Sequence, residues 1–186
     1  MDTVVVDPFF DELPRRFGAG LAALAEARDP TAWPAFERGE LDEAGFLGRL
    51  YREAPPAGAP TPEQLRDAII GSYRFVPGMR ELLMGLAAAG WRRWVLSNYP
   101  PWIAHVKRQL DLGALFEGFS ISCELGARKP HAEAYERTAE QIGAPAEELL
   151  LIDDRERNCE GARAQGWRAI RFETVVGLVR GLDRVA

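Results

Sequence analysis

The sequence predicts an α/β protein, a doubly wound parallel sheet with an inserted helical unit. Three observations predict it. The second half alternates short apolar runs with helix-length amphipathic ones. The first half carries apolar residues at helical spacing only. Leu149-Leu150-Leu151-Ile152 then runs into Asp153-Asp154. Four apolar residues in a row read as a strand buried on both faces, and the end of such a strand is where an α/β sheet opens its ligand crevice.

The elements follow in order. Segments 12–28, 30–38, 41–53 and 61–74 read as helices, with Pro55, Pro56, Gly58 and Pro60 breaking the third from the fourth. Thr61-Pro62-Glu63 reads as an N-cap, a first-turn proline and a first-turn acid. Helix 78–89 ends at Gly90, and strand 94–96 follows. Helix 101–111, strand 119–123, helix 131–142, strand 149–152, helix 156–165, strand 169–172 and a last helix complete the chain.

Composition narrows the function classes. The 186 residues are 47% hydrophobic and 27% charged, ordinary for a soluble globular protein. The net charge of −5 with no basic cluster argues against a nucleic-acid partner. No apolar run approaches the roughly 20 residues of a membrane span, and the N-terminus does not read as a signal peptide. Cys123 and Cys159 stand in no metal spacing. Cys123 reads as a small core residue, and both fit the reduced thiols of a cytoplasmic protein.

The residues that carry chemistry sit after successive strands. Ser97-Asn98 ends the first; a hydroxyl and an amide there can bind a phosphate oxygen, although the pair also suits an ordinary turn. Lys129-Pro130 follows the second, where an ammonium can neutralise a phosphate or carboxylate, although most lysines are solvated. Asp153-Asp154 follows the third, as a cation site or a helix cap. A hydroxyl, a lysine and an acidic pair in this order fit phosphoryl transfer.

On these residues the chain resembles the haloacid dehalogenase superfamily of hydrolases. The resemblance is carried by Val95-Leu96-Ser97-Asn98, by Arg128-Lys129-Pro130 with His131 to Tyr135, and by Leu151-Ile152-Asp153-Asp154-Arg155-Glu156-Arg157-Asn158 with the Glu160–Trp167 segment after it. It implies a Rossmann-like core over residues 1–10 and 76–186, and a helical cap over 11–75. Phe36-Glu37-Arg38-Gly39-Glu40-Leu41-Asp42 through Phe46 looks like a cap segment of the epoxide-hydrolase-like and sugar-phosphatase-like branch. The resemblance implies that Ser97 and Asn98 face the substrate, that Lys129 balances charge at the nucleophile, and that Mg²⁺ is held by Asp154 with Asp153 beside it. Asn158 stands where many relatives carry a further acid.

The family's first motif is a strand ending in an aspartate nucleophile, often with a second aspartate two residues on and a threonine four residues on. Two alignments compete. In one, Thr3–Val6 is the strand and Asp7 the nucleophile, with Phe9 and Asp11 at the later positions. In the other, Thr3 is the motif's threonine, Met1-Asp2-Thr3 and Asp7-Pro8-Phe9 match a plant and cyanobacterial subgroup, and the nucleophile precedes the written sequence. The second accounts for more residues and is preferred. It leaves the sheet without its central strand unless Thr3–Val6 slides into the vacancy, bringing Asp7 toward the crevice.

The resulting expectation is a Mg²⁺-dependent phosphatase acting on a small phosphorylated metabolite through an aspartyl-phosphate. Neither alignment supplies the acid two residues on, a proton donor typically worth about 10²–10⁴ in rate. Two alternatives therefore stand beside it: a dehalogenase-type hydrolase, which lacks that acid and needs no Mg²⁺, and a non-catalytic binding protein of the same fold. A receiver domain fits poorly, because its acidic pair comes early and its lysine late. His105, His131 and the five tryptophans read as structural or solvated.

Overall fold

The computed structural model describes residues 1–184. The helical first half has more breaks than its apolar spacing suggests. The helix expected over 12–28 is two, α1 (Glu12–Phe17) and α2 (Ala19–Ala27). Gly18 between them adopts φ 49° and ψ −121°, a conformation that ends one helix and redirects the chain into the next. Helices α3 (Ala32–Glu37) and α4 (Glu43–Gly48) are shorter than the expected 30–38 and 41–53. Helix α5 (Pro62–Ile70) starts as its sequence predicts: Thr61 and Gln64 form a reciprocal capping box, with Pro62 in the first turn. It ends at Gly71 rather than running to 74.

The second half alternates as expected: α6 (Met79–Ala88), β1 (Trp94–Ser97), α7 (Ile103–Gln109), β2 (Gly118–Ile121), α8 (Ser122–Leu125), α9 (Ala132–Ile142), β3 (Leu150–Asp153), α10 (Glu156–Ala164), β4 (Arg168–Arg171) and α11 (Val175–Leu182). Cys123, expected to end a strand as a core residue, lies half-buried in the short α8 instead. No helix among the described residues is long and apolar enough to cross a membrane.

Strands β1 to β4 pair in parallel, as the alternation requires, but they form two pairs. β1 pairs with β2 from Trp94–Gly118 to Ser97–Ile121, and β3 with β4 from Leu150–Arg168 to Asp153–Arg171. Among the described residues no ladder joins the two pairs. A cavity of about 440 Å³ lies between them, lined by Val95 and Leu96 of β1, by Leu151 and Ile152 of β3, and by Leu82 and Leu86 of α6. Strand β3 therefore alternates half-buried and buried residues instead of being covered on every side.

Thr3–Val6 does not enter the sheet as a strand. Its one bridge is antiparallel, from Val5 to Phe75, flanked by Val6 N–H to Arg74 O at 3.0 Å and Val76 N–H to Val4 O at 2.9 Å. Met1, Thr3, Val4 and Val5 lie along the cavity's wall. Sequence patterning marked the segment as apolar and extended, and its bridging backbone hydrogen bonds go to the loop around Phe75 instead of a sheet edge.

The two halves of the chain share one apolar cluster, which runs from Leu13, Leu24, Phe36 and Phe46 to Met79, Val106, Ile121 and Leu178. Phe36 stacks on Phe46 at 4.7 Å, and Trp102 of the second half meets both rings edge-on. The end of α3 is also clasped to α8. The buried Ser122 hydroxyl donates to Glu37 O at 2.6 Å and accepts the Tyr99 N–H at 3.0 Å. A crevice between the first-half helices and the C-terminal ends of β1 and β3 results.

Candidate active site

Strand direction decides what meets in this crevice. β1 and β3 both end at it, so Ser97, at the end of β1, and Asp153, at the end of β3, come to the same edge. Lys129, on the loop before α9, spans the gap between the two strands. Its ammonium donates to Leu96 O at 2.7 Å and to Asp153 Oδ2 at 2.5 Å. Both side chains are nearly fully buried, at 8% and 5% exposure. Asn98 fixes the lysine's backbone: its Nδ2 donates to Lys129 O and its Oδ1 accepts the Lys129 N–H, both at 2.8 Å. The Lys129-Pro130 peptide bond is cis.

The acidic pair divides into two environments. Asp153 points inward, where Oδ1 accepts the Arg155 N–H at 2.9 Å and Asn158 Nδ2 at 2.8 Å. Burial alone would raise its carboxyl. The Lys129 ammonium and these hydrogen bonds outweigh burial and hold it below the ordinary carboxylate value. Asp154 is half-buried and faces the crevice; its Oδ1 accepts the Thr3 hydroxyl at 3.1 Å, and Arg155 Nε lies 3.7 Å from its other oxygen. Asn158 Oδ1 is buried with no partner among the described residues.

Asp7 also lines the crevice, but in different company. Its Oδ1 accepts the Phe9 N–H at 2.9 Å, and its own N–H donates to Asp2 Oδ1 at 2.8 Å. Burial raises its carboxyl, offset in part by the Phe9 N–H, the N-terminal amine and Arg155. Its side-chain and N–H hydrogen bonds among the described residues run to Phe9 and Asp2, and none reaches Lys129, Asp153 or Asp154. Among the described residues no three of His, Cys, Asp and Glu converge as a metal-holding group. Asp7 thus lines the same crevice as the adjacent pair, with Arg155 acting on both it and Asp154.

Several crevice residues escape a reading of the motifs. Glu37 is buried: Oε1 accepts Trp33 Nε1 at 2.8 Å and Oε2 stands 2.8 Å from Arg128. Burial pushes its carboxyl up against the pull of Arg128. Arg128 flanks the motif residue Lys129, and that adjacency was its only signal in the sequence; Arg155, legible as an arginine able to reach the crevice although exposure is the default, lines it. Trp33 lines the crevice as well as packing against other rings, which helical spacing alone did not reveal.

Comparison with known proteins shows the family of the chain. The profile of the haloacid dehalogenase-like hydrolases matches residues 15–166. The chain is 31% identical over 183 residues to the chloroplast flavin mononucleotide hydrolase 1 of Arabidopsis thaliana, covering 98% of this chain and 74% of the relative. It is 30% identical over 135 residues to the sesquiterpene phosphatase astK of Aspergillus oryzae, covering 72% and 68%. In fold it resembles a family enzyme from Bacteroides thetaiotaomicron in complex with magnesium and inorganic phosphate, at TM-score 0.70 and 19% identity over 91% of this chain and 87% of that one. An L-2-haloacid dehalogenase from Xanthobacter autotrophicus is as similar, at TM-score 0.69 and 19% identity over 99% and 80%. By the profile match and the relative that aligns with nearly the whole of this chain, the chain belongs to the haloacid dehalogenase-like hydrolases.

Proposed function

We propose that the protein is a Mg²⁺-dependent phosphatase of small phosphorylated metabolites. The observation that carries this reading is the convergence of Ser97, Lys129, Asp153 and Asp154 on one crevice edge. Relatives named as phosphate-ester hydrolases support it. Lys129 supplies a fixed positive charge beside which a phosphoryl group and an attacking carboxylate can approach. Ser97 offers a hydroxyl to a phosphoryl oxygen. Asn98 acts on the substrate side by holding the Lys129 backbone in place.

The residues present fit a magnesium ion. Mg²⁺ takes hard oxygen donors and is commonly held by one or two carboxylates, with water and phosphate completing its shell. Asp154 presents a carboxylate at the crevice, and Asn158 Oδ1 is an acceptor without a partner among the described residues. Asp153, engaged by Lys129, orients the group. When bound, the ion would offset charge on the phosphoryl oxygens.

The Thr3 hydroxyl on Asp154 favours an attacking carboxylate four residues before Thr3, delivered by an upstream extension, over Asp7. The experiment is release of inorganic phosphate from p-nitrophenyl phosphate, by the chain alone and with an in-frame upstream strand ending in aspartate. Mg²⁺-dependent turnover is expected with the extension, to be abolished by Asp154→Asn and retained in Asp7→Asn. An extended, folded protein without turnover on any phosphoester would defeat the reading. Phe9, two residues after Asp7, favours a second reading as a dehalogenase using Asp7. Metal-independent chloride release from 2-chloropropionate, lost in Asp7→Asn, would establish that instead.

A further inference from the structure

The crevice extends well past the Lys129–Asp153 edge, to a volume of about 460 Å³. Its core end presents Ser97, Lys129 and Asp154, while its far end is walled by Leu24, Trp33, Phe46 and Ile69 from the first-half helices. Phe9 and Phe10 stand at its rim, their rings edge-on at 5.5 Å, and Phe10 is 70% exposed. A large aromatic ring left open at the mouth of an apolar recess gains free energy when a ligand covers it.

The polar groups at the far end are engaged in part within the protein, while Glu37 Oε2 and Arg128 Nε keep no hydrogen-bond partner among the described residues. Glu37 is engaged by Trp33 and Arg128, and Asp29 is held by Thr31 at 2.6 Å and by Arg49 at 3.1 Å. Against the wall made by Leu24, Phe46 and Ile69 a polyhydroxylated ligand body would surrender its water without a partner in return, whereas an aromatic one would surrender little. Trp33 meets Phe36, Phe46, Tyr99 and Trp102 at steep angles, and none of them stacks in parallel on it.

We propose that this arm of the crevice is a subsite for the apolar, aromatic body of a phosphomonoester, with Phe10 and Trp33 as its walls. Only the placing of the phosphate at Lys129 rests on the phosphatase reading. Hydrolysis of such an ester breaks one P–O bond and consumes one water, releasing an aryl alcohol and inorganic phosphate. The subsite itself enters no covalent step.

The test is calorimetric titration of the full chain with MgCl₂ against inorganic phosphate, glycerol 3-phosphate, 1-naphthyl phosphate and 1-naphthol. Naphthyl phosphate is expected to bind at least about tenfold more tightly than glycerol phosphate, a difference near 1.4 kcal/mol. Phe10→Ser, at an exposed position that leaves the fold intact, should shrink that ratio severalfold while inorganic phosphate binds as before. Trp33→Leu should do the same. Equal affinity for the two esters overturns the subsite, as does a ratio unchanged by Phe10→Ser. If naphthol binds in a Phe10-dependent way but no phosphate compound does, the subsite stands and the phosphatase reading fails. If phosphate binds and naphthyl phosphate gains nothing over it, the reverse holds.

Discussion

At the scale of single residues, the Lys129–Asp153 pair decides most. Two opposite charges withdrawn from water repay their desolvation only through close geometry and further hydrogen bonds, and this pair has both. Removing one partner leaves the other charge buried. Lys129→Met should therefore cost about 3–5 kcal/mol of stability, measured by urea unfolding at neutral pH. The pH dependence follows from the sign of the shift. Asp153 is held below its unfolded value, so it contributes stability above the ordinary carboxylate range and loses it as pH falls through its folded value. Without Lys129 that rise in stability, which lies at and below the ordinary carboxylate value of about 4, should shrink, because burial then opposes ionisation with less to offset it. An unchanged acid limb in Lys129→Met would contradict the pairing. The adjacency of Asp153 and Asp154 was plain in the sequence, but their division of labour was not. It depends on which carboxylate turns inward to Lys129, 24 residues away, and which meets the Thr3 hydroxyl, 151 residues away.

At the scale of elements, legibility followed locality. The start of α5 could be read because a capping box and a first-turn proline are complete within four residues. Thr61→Ala should cost about 1 kcal/mol, read as a lower thermal midpoint. The break at Gly18 was missed because apolar spacing continues across it, and only the backbone conformation there shows the turn. The clasp of α3 onto α8 was invisible, since it joins residues some 85 apart. Gly39 makes that clasp sterically possible. Its φ is 73°, and a Cβ there would come within 2.5 Å of Cys123 O. Gly39→Ala should thus cost more than an ordinary left-handed substitution, about 1–3 kcal/mol. It should also pull the end of α3 and Glu37 away from Arg128. The check is a double-mutant cycle with Arg128→Met, in which the cost of losing Arg128 should fall once Gly39 is replaced.

At the scale of the whole molecule, the sheet is the unusual feature. β1 and β3 run in the same direction, end at the same crevice and are bridged there by Lys129, yet between them lies a cavity and not a ladder. The fold class was legible from the alternation of strands and helices, because each βα unit is patterned locally. Whether two strands become neighbours depends on what lies between them, and no local pattern carries that. The facing edges leave apolar surface under-packed, which should weaken the molecule. A strand of four or five apolar residues set into the gap would bury side chains at about 1.5–3 kcal/mol each, roughly 6–15 kcal/mol in all. That is comparable to the whole stability of a typical domain, about 5–15 kcal/mol. The chain as written should therefore unfold with a broad, low transition and bind a hydrophobic dye such as anilinonaphthalene sulfonate. An in-frame apolar strand placed before Met1 should sharpen the transition, suppress dye binding and raise the midpoint by more than about 10 °C, since 1 kcal/mol moves a domain of this size by about 2–4 °C. The same extension with a proline at its centre cannot complete a ladder and should restore little of this. Equal melting of the two extended proteins would show that the gap is not a place for a strand.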